Sequence, residues 1–320
     1  MGKLIRIGTR ESQLAIWQAT QVLEKISENG FEAALVLIKS EGDIDLHTPL
    51  YEMGIQGIFT RSLDIALLSN KIDLAVHSMK DVPTQLAAGI VQTAVLKRGS
   101  HKDILVYKED ALHTKELFQK IQKGESNQVA HTQFLVATSS MRRKAQWLNK
   151  YSNHVLTSLR GNMNTRLSKL QENEWNGAIF AAAGLERINL RPSNAVDLDW
   201  MLPAPAQGAI VVLSRESDEE THNACERMND PNTALCTLTE RSFLRTLLGG
   251  CSTPISALAE IEAGEIYFRG NLLSPDGKQK VEIEKILPLT RAEGLGREAA
   301  KEILSKGGGE VMKTLSNVHG

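Results

Sequence analysis

Leu74-Ala75-Val76-His77-Ser78-Met79-Lys80-Asp81-Val82-Pro83 is the stretch from which the rest of the chain can be read. Leu74 to Val76 read as the end of a buried strand. Pro83 has no amide hydrogen to offer and stops any continuing ladder. Between them lie a histidine, a serine, a lysine and an aspartate. A lysine beside an acid is out of place at the end of a core strand. In open α/β sheets, ligands sit outside the carboxyl ends of the strands. Taken alone, the stretch fits equally a solvated turn whose Lys80 and Asp81 pair weakly at the surface.

Outward from this stretch, strands and helices alternate. Lys3 to Ile7 reads as a strand, ended by Gly8-Thr9-Arg10. Ser12 then caps a helix whose apolar positions Leu14, Ala15, Ala19, Val22, Leu23 and Ile26 hold a helical period, closed by Gly30. Strands follow at Leu35 to Ile38 and Ile90 to Val95, with a helix around Leu63, Ala66 and Leu67 between them. A second unit of the same style has strands at Asp103 to Tyr107, Phe134 to Ala137, His154 to Leu159 and Ala178 to Ala182. Helices are expected from Leu112 to Ile121, after Ser140 and after Asn162, and Lys123 to Gln128 reads as a loop. Pro192, Pro203 and Pro205 punctuate a long connection before a strand from Ala209 to Leu213. This alternation predicts mostly parallel sheets with helices on their faces. The last third differs. A helix from Thr233 to Leu247 precedes strands at Ala257 to Ile261, Glu265 to Leu272 and Val281 to Ile286, and a helix from about Arg291 to Ser305. That is an antiparallel α+β module.

A chain of 320 residues suggests two or three domains. Lys and Arg total 37 against 38 for Asp and Glu, a net charge of −1. This argues against a broad nucleic-acid footprint while leaving room for a local basic pocket. No apolar run approaches membrane-spanning length, and Met1 to Arg6 enter a strand without a signal-peptide apolar region. Cys225, Cys236 and Cys251 form no C-x-x-C pair, so neither a zinc site nor a dithiol is expected, and a cytoplasmic chain with reduced thiols is.

One pattern recurs. A strand ends, a hydroxyl or arginine follows, and a helix begins: at Thr9-Arg10-Ser12, at Thr138-Ser139-Ser140 with Arg142 and Arg143, and at Arg160-Gly161-Asn162 with Arg166. Helix N-termini offer unbonded N–H groups to anions, and arginine adds a fork matched to carboxylate or phosphate. Any one such site is more often an ordinary capped helix. Three of them converging on one cleft would hold a ligand with several negative groups. No P-loop motif is present. Asp81 is the acid suited to such a cleft, where it could stabilise a cation or move a proton. Lys80 is its partner or a further anion ligand, and His77 belongs to the buried strand end. Cys251, in Gly249-Gly250-Cys251-Ser252-Thr253-Pro254, is either an inert loop thiol or a nucleophile or attachment point. Cys225 and Cys236 read as packing residues.

Together these motifs resemble the porphobilinogen deaminase family over nearly the whole chain. The match rests on Gly8-Thr-Arg-Glu-Ser-Gln-Leu-Ala15, Ala75-Val-His-Ser-Met-Lys-Asp-Val-Pro83, Ala137-Thr-Ser-Ser-Met-Arg-Arg143, Leu159-Arg-Gly-Asn162, Thr165-Arg-Leu-Ser-Lys169, Ala182-Ala-Gly-Leu-Glu-Arg187, Ala206-Gln-Gly-Ala209 and Gly249-Gly-Cys251, in that order. The resemblance implies three domains: residues 1–98 with 206–228, residues 99–205, and residues 229–320. The first two would be periplasmic-binding-protein-like α/β domains flanking the active cleft, the third an α+β domain with a three-stranded antiparallel sheet. It implies a cytoplasmic, monomeric transferase without metal, which joins four porphobilinogen molecules head to tail, with loss of ammonia, into hydroxymethylbilane. A dipyrromethane cofactor would be linked through a thioether to Cys251. Asp81 would be the catalytic carboxylate, stabilising the azafulvene cation formed as ammonia leaves. Lys80, Thr138, Ser139, Ser140, Arg142 and Arg143 would hold the cofactor. Arg10, Ser12, Gln18, Arg160, Arg166, Arg187 and Gln207 would hold substrate and growing chain. One departure concerns the loop from Ile44 to Gly57, where relatives often carry a lysine pair and this chain has Glu52 and Gln56. Arg61 is expected on the outer face of the following helix. Two competing readings are a non-enzymatic binder of a small polyanion, which predicts no covalent adduct, and a pyridoxal-type enzyme with Lys80 as Schiff base, which predicts a chromophore reducible by borohydride.

Overall fold

The computed structural model describes residues 3–39, 60–108, 114–123, 134–247 and 253–316. Three sheets organise it. The first contains β1 (Ile5–Thr9), β2 (Ala33–Leu37), β3 (Leu74–Ser78) and β4 (Ile90–Val95). The second contains β5 (Asp103–Tyr107), β6 (Leu135–Ala137), β7 (Val155–Thr157), β8 (Gly177–Ala181) and β9 (Ala195–Asp197). The chain then returns, and β10 (Ile210–Arg215) inserts into the first sheet, giving the order β2-β1-β3-β10-β4. The second sheet has the matching order β7-β6-β8-β5-β9. In both, three parallel strands are followed by one antiparallel strand and an edge.

Helices cover both faces of each sheet. The first carries α1 (Gln13–Glu28) and, across it, α2 (Arg61–Leu68). Side chains alternate along the strands, so Leu74 and Val76 pack with Ala19, Val22 and Ile26 of α1, whereas Ala75 packs with Leu63 and Leu67 of α2. The second sheet is covered by α3 (Thr114–Lys123) and α4 (Met141–Lys150) on one face, with Trp147, Tyr151 and Ile179 in the core. On the other face lie α5 (Met163–Glu172) and α6 (Ala182–Glu186), around Phe180 and Leu170. Each fully buried large apolar side chain of this kind contributes roughly 1.5–3 kcal/mol of transfer free energy.

After α7 (Glu219–Cys225), helix α8 (Pro231–Thr246) begins the third unit, with Asp230 as cap and Pro231 in the first turn, where its missing N–H costs nothing. Strands β11 (Ile255–Glu262), β12 (Glu265–Leu273) and β13 (Lys280–Pro288) form an antiparallel meander. Phe243 of α8 meets Phe268 of β12 edge to face, ring centroids 5.3 Å apart, and α9 (Leu295–Ile303) completes this core. Beyond Gly307, at φ +104°, the chain enters α10 (Gly309–Ser316).

The predicted alternation is present, with differences at the ends of elements. The connection read as irregular around Pro192 to Pro205 contains β9, three residues paired to β5. The closing helix starts at Leu295 rather than near Arg291, because a tight turn at Leu289–Arg291 and Gly294 at φ +76° precede it. α10 was not expected. Residues 44–57, with Glu52 and Gln56, and most of Lys123 to Gln128, lie outside the described residues.

The chain crosses between the two α/β units twice, and the crossings touch. Gly99 N donates to Gly208 O at 3.0 Å. Beside them the fully buried Glu240 of α8 accepts from Arg98 at 2.6 and 3.1 Å, from Ala206 N at 2.6 Å and from Ala259 N at 2.7 Å. One carboxylate thus ties both crossings to the third unit.

Candidate active site

Equivalent strand ends of the two matching sheets face a common cleft. β1 and β6 occupy the same place in their sheets, so Thr9-Arg10-Ser12 and Thr138-Ser139-Ser140 are equivalent turns. Each leads into a capped helix: Ser12 Oγ accepts from Ala15 N at 3.3 Å, and Ser140 Oγ from Arg143 N at 3.4 Å. Asn162 caps α5 in the same way, accepting from Thr165 N at 3.0 Å. These caps follow from short polar side chains that satisfy otherwise unbonded N–H groups.

At the floor of the cleft stand Arg142 and Arg143, both buried, astride Asp103 at the start of β5. Arg142 Nη2 lies 2.7 Å from Asp103 Oδ2, and Arg143 donates to Oδ1 through Nε at 3.1 Å and Nη2 at 2.8 Å. Burial would raise the pKa of Asp103, but Arg142, Arg143, the Gln207 amide and Lys80 outweigh it and hold the pKa at about 2. Gln207 Nε2 donates to Asp103 Oδ1 at 2.9 Å and His101 O at 2.8 Å, while its Oε1 accepts from Lys80 Nζ at 3.2 Å. Burial, opposed by Asp81 and reinforced by Arg143, pushes the Lys80 ammonium down to about 8.

Arg166 donates to Gly161 O at 2.7 Å. Its pKa is pushed down to about 10 by burial, then by Arg143, with Arg160 adding to the effect and Asp81 opposing it. Arg160 is buried beside it. Arg187, lowered to about 10 chiefly by burial, donates to Gly208 O at 2.6 Å and lies 5.6 Å from the centre of the Trp17 ring in the facing unit. Gln18 donates to Ser78 Oγ at 2.8 Å, fixing α1 against the end of β3. Ser139 Oγ joins Leu159 N, at 2.8 Å, and Ser158 Oγ, also at 2.8 Å. Arg10 acts on His77, whose ring is held neutral, its pKa near 3, by burial first and that charge second.

Asp81 ends the tight turn Met79–Asp81 that follows β3. It is half-buried, and its charge acts on both Lys80 and Arg166. Five cations (Lys80, Arg142, Arg143, Arg160, Arg166) and two carboxylates, Asp81 and Asp103, therefore form one linked cluster. That surplus favours anions, and carboxylate groups suit the arginine forks.

Asp103 and Glu240 were not recognised from the sequence. Each sits in a regular element with no motif around it, and only the arginine distant in sequence shows its role. Cys251 lies outside the described residues. Cys225 and Cys236 are buried, their thiols pushed up to about 12, first by burial. Arg61 is exposed on α2, as expected.

Two α/β units of matching strand order, a cluster of buried cations between them and an appended α+β unit define a class of protein built to hold an anionic ligand. The chain belongs to the porphobilinogen deaminase family. A family model described as "Porphobilinogen deaminase, dipyromethane cofactor binding domain" matches residues 5–223, and one for the porphobilinogen deaminase C-terminal domain matches residues 234–305. Porphobilinogen deaminases of Chlorobium phaeobacteroides and Chloroherpeton thalassium are each 37% identical to it, over 321 and 320 residues, covering 98% of both chains in each case. Among solved structures, an arginine-specific periplasmic binding protein of Salmonella typhimurium aligns at 13% identity with a TM-score of 0.40, over 73% of this chain and 96% of that one. The chain is a transferase of tetrapyrrole synthesis that polymerises porphobilinogen with loss of ammonia, using a dipyrromethane cofactor. The cation surplus at Lys80, Arg142 and Arg143, only one charge of which Asp103 offsets, fits a cofactor bearing carboxylates.

Proposed function

We propose that Asp81 is the catalytic carboxylate of this polymerisation and that Cys251 carries the dipyrromethane through a thioether. The support is the place of Asp81 on the turn after β3, where its charge acts on Lys80 and Arg166 at the edge of a cluster of cations suited to the substrate's acid groups. When bound, the cofactor supplies the pyrrole end to which the first substrate is joined. Lys80, Arg142 and Arg143, with Thr138, Ser139 and Ser140 at the start of α4, hold its carboxylates. Arg10, Ser12, Arg160, Arg166 and Arg187 hold those of the substrate and growing chain, with Gln18 and Gln207 completing the wall. Asp81 accepts the pyrrole N–H and stabilises the positive charge that develops as ammonia leaves. A preorganised charge of this kind acts mainly in the transition state.

The domain division at residues 98/99, 205/206 and 228/229 is part of this reading, as are a monomeric state and a cytoplasmic location. No helix among the described residues is long and apolar enough to cross a membrane. Two measurements test the proposal. Intact mass under denaturing conditions should exceed the sequence mass by one dipyrromethane, and Cys251→Ala should lose that excess. Asp81→Ala should keep the fold and the bound cofactor and lower kcat by at least about 10²-fold. A fully active chain of unmodified mass would remove Cys251 from this role. A change confined to KM would reduce Asp81 to a binding residue.

A further inference from the structure

The turn that carries Lys80 and Asp81 is held from outside its own unit. Arg241, on α8, reaches across and donates to three of its backbone carbonyls: Val82 O at 2.8 Å and Met79 O at 3.2 Å through Nη1, and Pro83 O at 2.6 Å through Nη2. These carbonyls bracket Asp81. On the other side, Met79 N donates to Ala209 O at 3.0 Å, and the turn closes on itself through Val82 N to Met79 O at 3.2 Å. Arg241 adjoins Glu240, which ties both interdomain crossings to β11. The same helix ends at Thr246, five residues before Cys251.

We propose that Arg241 is a positioning residue for the polymerisation, fixing the turn that carries Lys80 and Asp81. This rests on the reading of Asp81 given above. A planar guanidinium offers several donors in a fixed fork, so it can fix three carbonyls at once. A lysine ammonium is a single point on a flexible stem and cannot reproduce that fork. Misplacing a reacting group by about 1 Å can cost on the order of 10²-fold in rate. Arg241 touches carbonyls of the turn rather than the carboxylate itself, so its loss should move kcat and leave substrate binding to the arginines of the cleft.

The experiment compares holoenzyme carrying Arg241→Lys and Arg241→Met with wild type and with Asp81→Asn. Circular dichroism and intact mass establish fold and cofactor content. Both Arg241 variants should retain cofactor and a KM for porphobilinogen within about twofold, while kcat falls by at least about tenfold. Added guanidinium at millimolar concentration should recover part of the kcat lost in Arg241→Met. Should Arg241→Met fail to fold, Arg241→Lys keeps the charge and decides the matter by its kcat. Full kcat in Arg241→Lys, or a loss expressed only in KM, overturns the proposal. If Asp81→Asn is itself fully active, the assignment of Asp81 falls instead; if it is inactive while Arg241→Lys is normal, only the positioning role falls.

Discussion

Asp103 shows how one buried acid sets the charge of the cleft floor. It accepts from Arg143 and Gln207, lies against Arg142, and is fully buried. Removing one partner of such a cluster leaves uncompensated buried charge, which typically costs about 3–5 kcal/mol. Asp103→Asn should lower stability to chemical denaturant by about that amount at neutral pH. The sign with pH follows from its depressed folded pKa. Its stabilisation is whole above the ordinary value of 3.8 and is lost as pH falls toward about 2. Wild-type stability should therefore fall more steeply than that of Asp103→Asn over this window. Equal slopes would mean that the arginines do not depend on the carboxylate. In the sequence, Lys80 and Asp81 stood out because charge breaks an apolar strand end. Asp103 did not, because an acid opening the run Asp-Ile-Leu-Val-Tyr looks like a strand boundary, and its arginine partners lie about forty residues away.

Among the elements, those governed by neighbours in sequence were readable. Ser12, Ser140 and Asn162 cap helices because each cap bonds an N–H three residues on. Gly30 closes α1 at φ +86°, with Phe31 N returning to Ile26 O at 3.2 Å. β9 was not readable: it is three half-buried residues whose pairing partner, β5, lies some ninety residues earlier. The crossings are equally non-local. Gly208 sits at φ +87°, and a Cβ there would lie 2.6 Å from Ser100 O and 2.8 Å from Gly99 O. Gly30 has a similar φ but nothing within 4 Å of its virtual Cβ. Gly30→Ala should thus cost only backbone strain, about 1 kcal/mol, with activity unchanged. Gly208→Ala should cost more, about 2–4 kcal/mol from strain plus displaced backbone, and should also lower activity, since Gly208 O and Gln207 hold Arg187 and Lys80. Urea midpoints for the pair test this, and equal destabilisation would disprove the steric account.

For the molecule as a whole, the matched strand orders explain a faint likeness between Gly8-Thr-Arg-Glu-Ser and Ala137-Thr-Ser-Ser-Met-Arg-Arg: both follow the same strand of equivalent sheets. Composition hid the cleft, because charges cancel in a total. The whole chain carries −1, while the linked cleft groups carry five positive and two negative charges, or +3, leaving −4 for the remainder. A locally positive cleft in a chain of near-neutral total charge directs an anionic substrate to one place. Such focusing can raise association rates by about 10–10³-fold and weakens once the Debye length, about 10 Å at 0.1 M salt, becomes shorter than the approach path. For porphobilinogen, kcat/KM should therefore fall severalfold as ionic strength rises from about 0.01 to about 0.5 M, while kcat, set after substrate has bound, changes little. Arg166→Gln should flatten that dependence by removing one cleft charge, whereas Lys285→Gln, which removes a charge from the third sheet, should leave the slope as it is. A wild-type kcat/KM that does not respond to salt would show that the cleft cations act only on contact and play no part in capture at a distance.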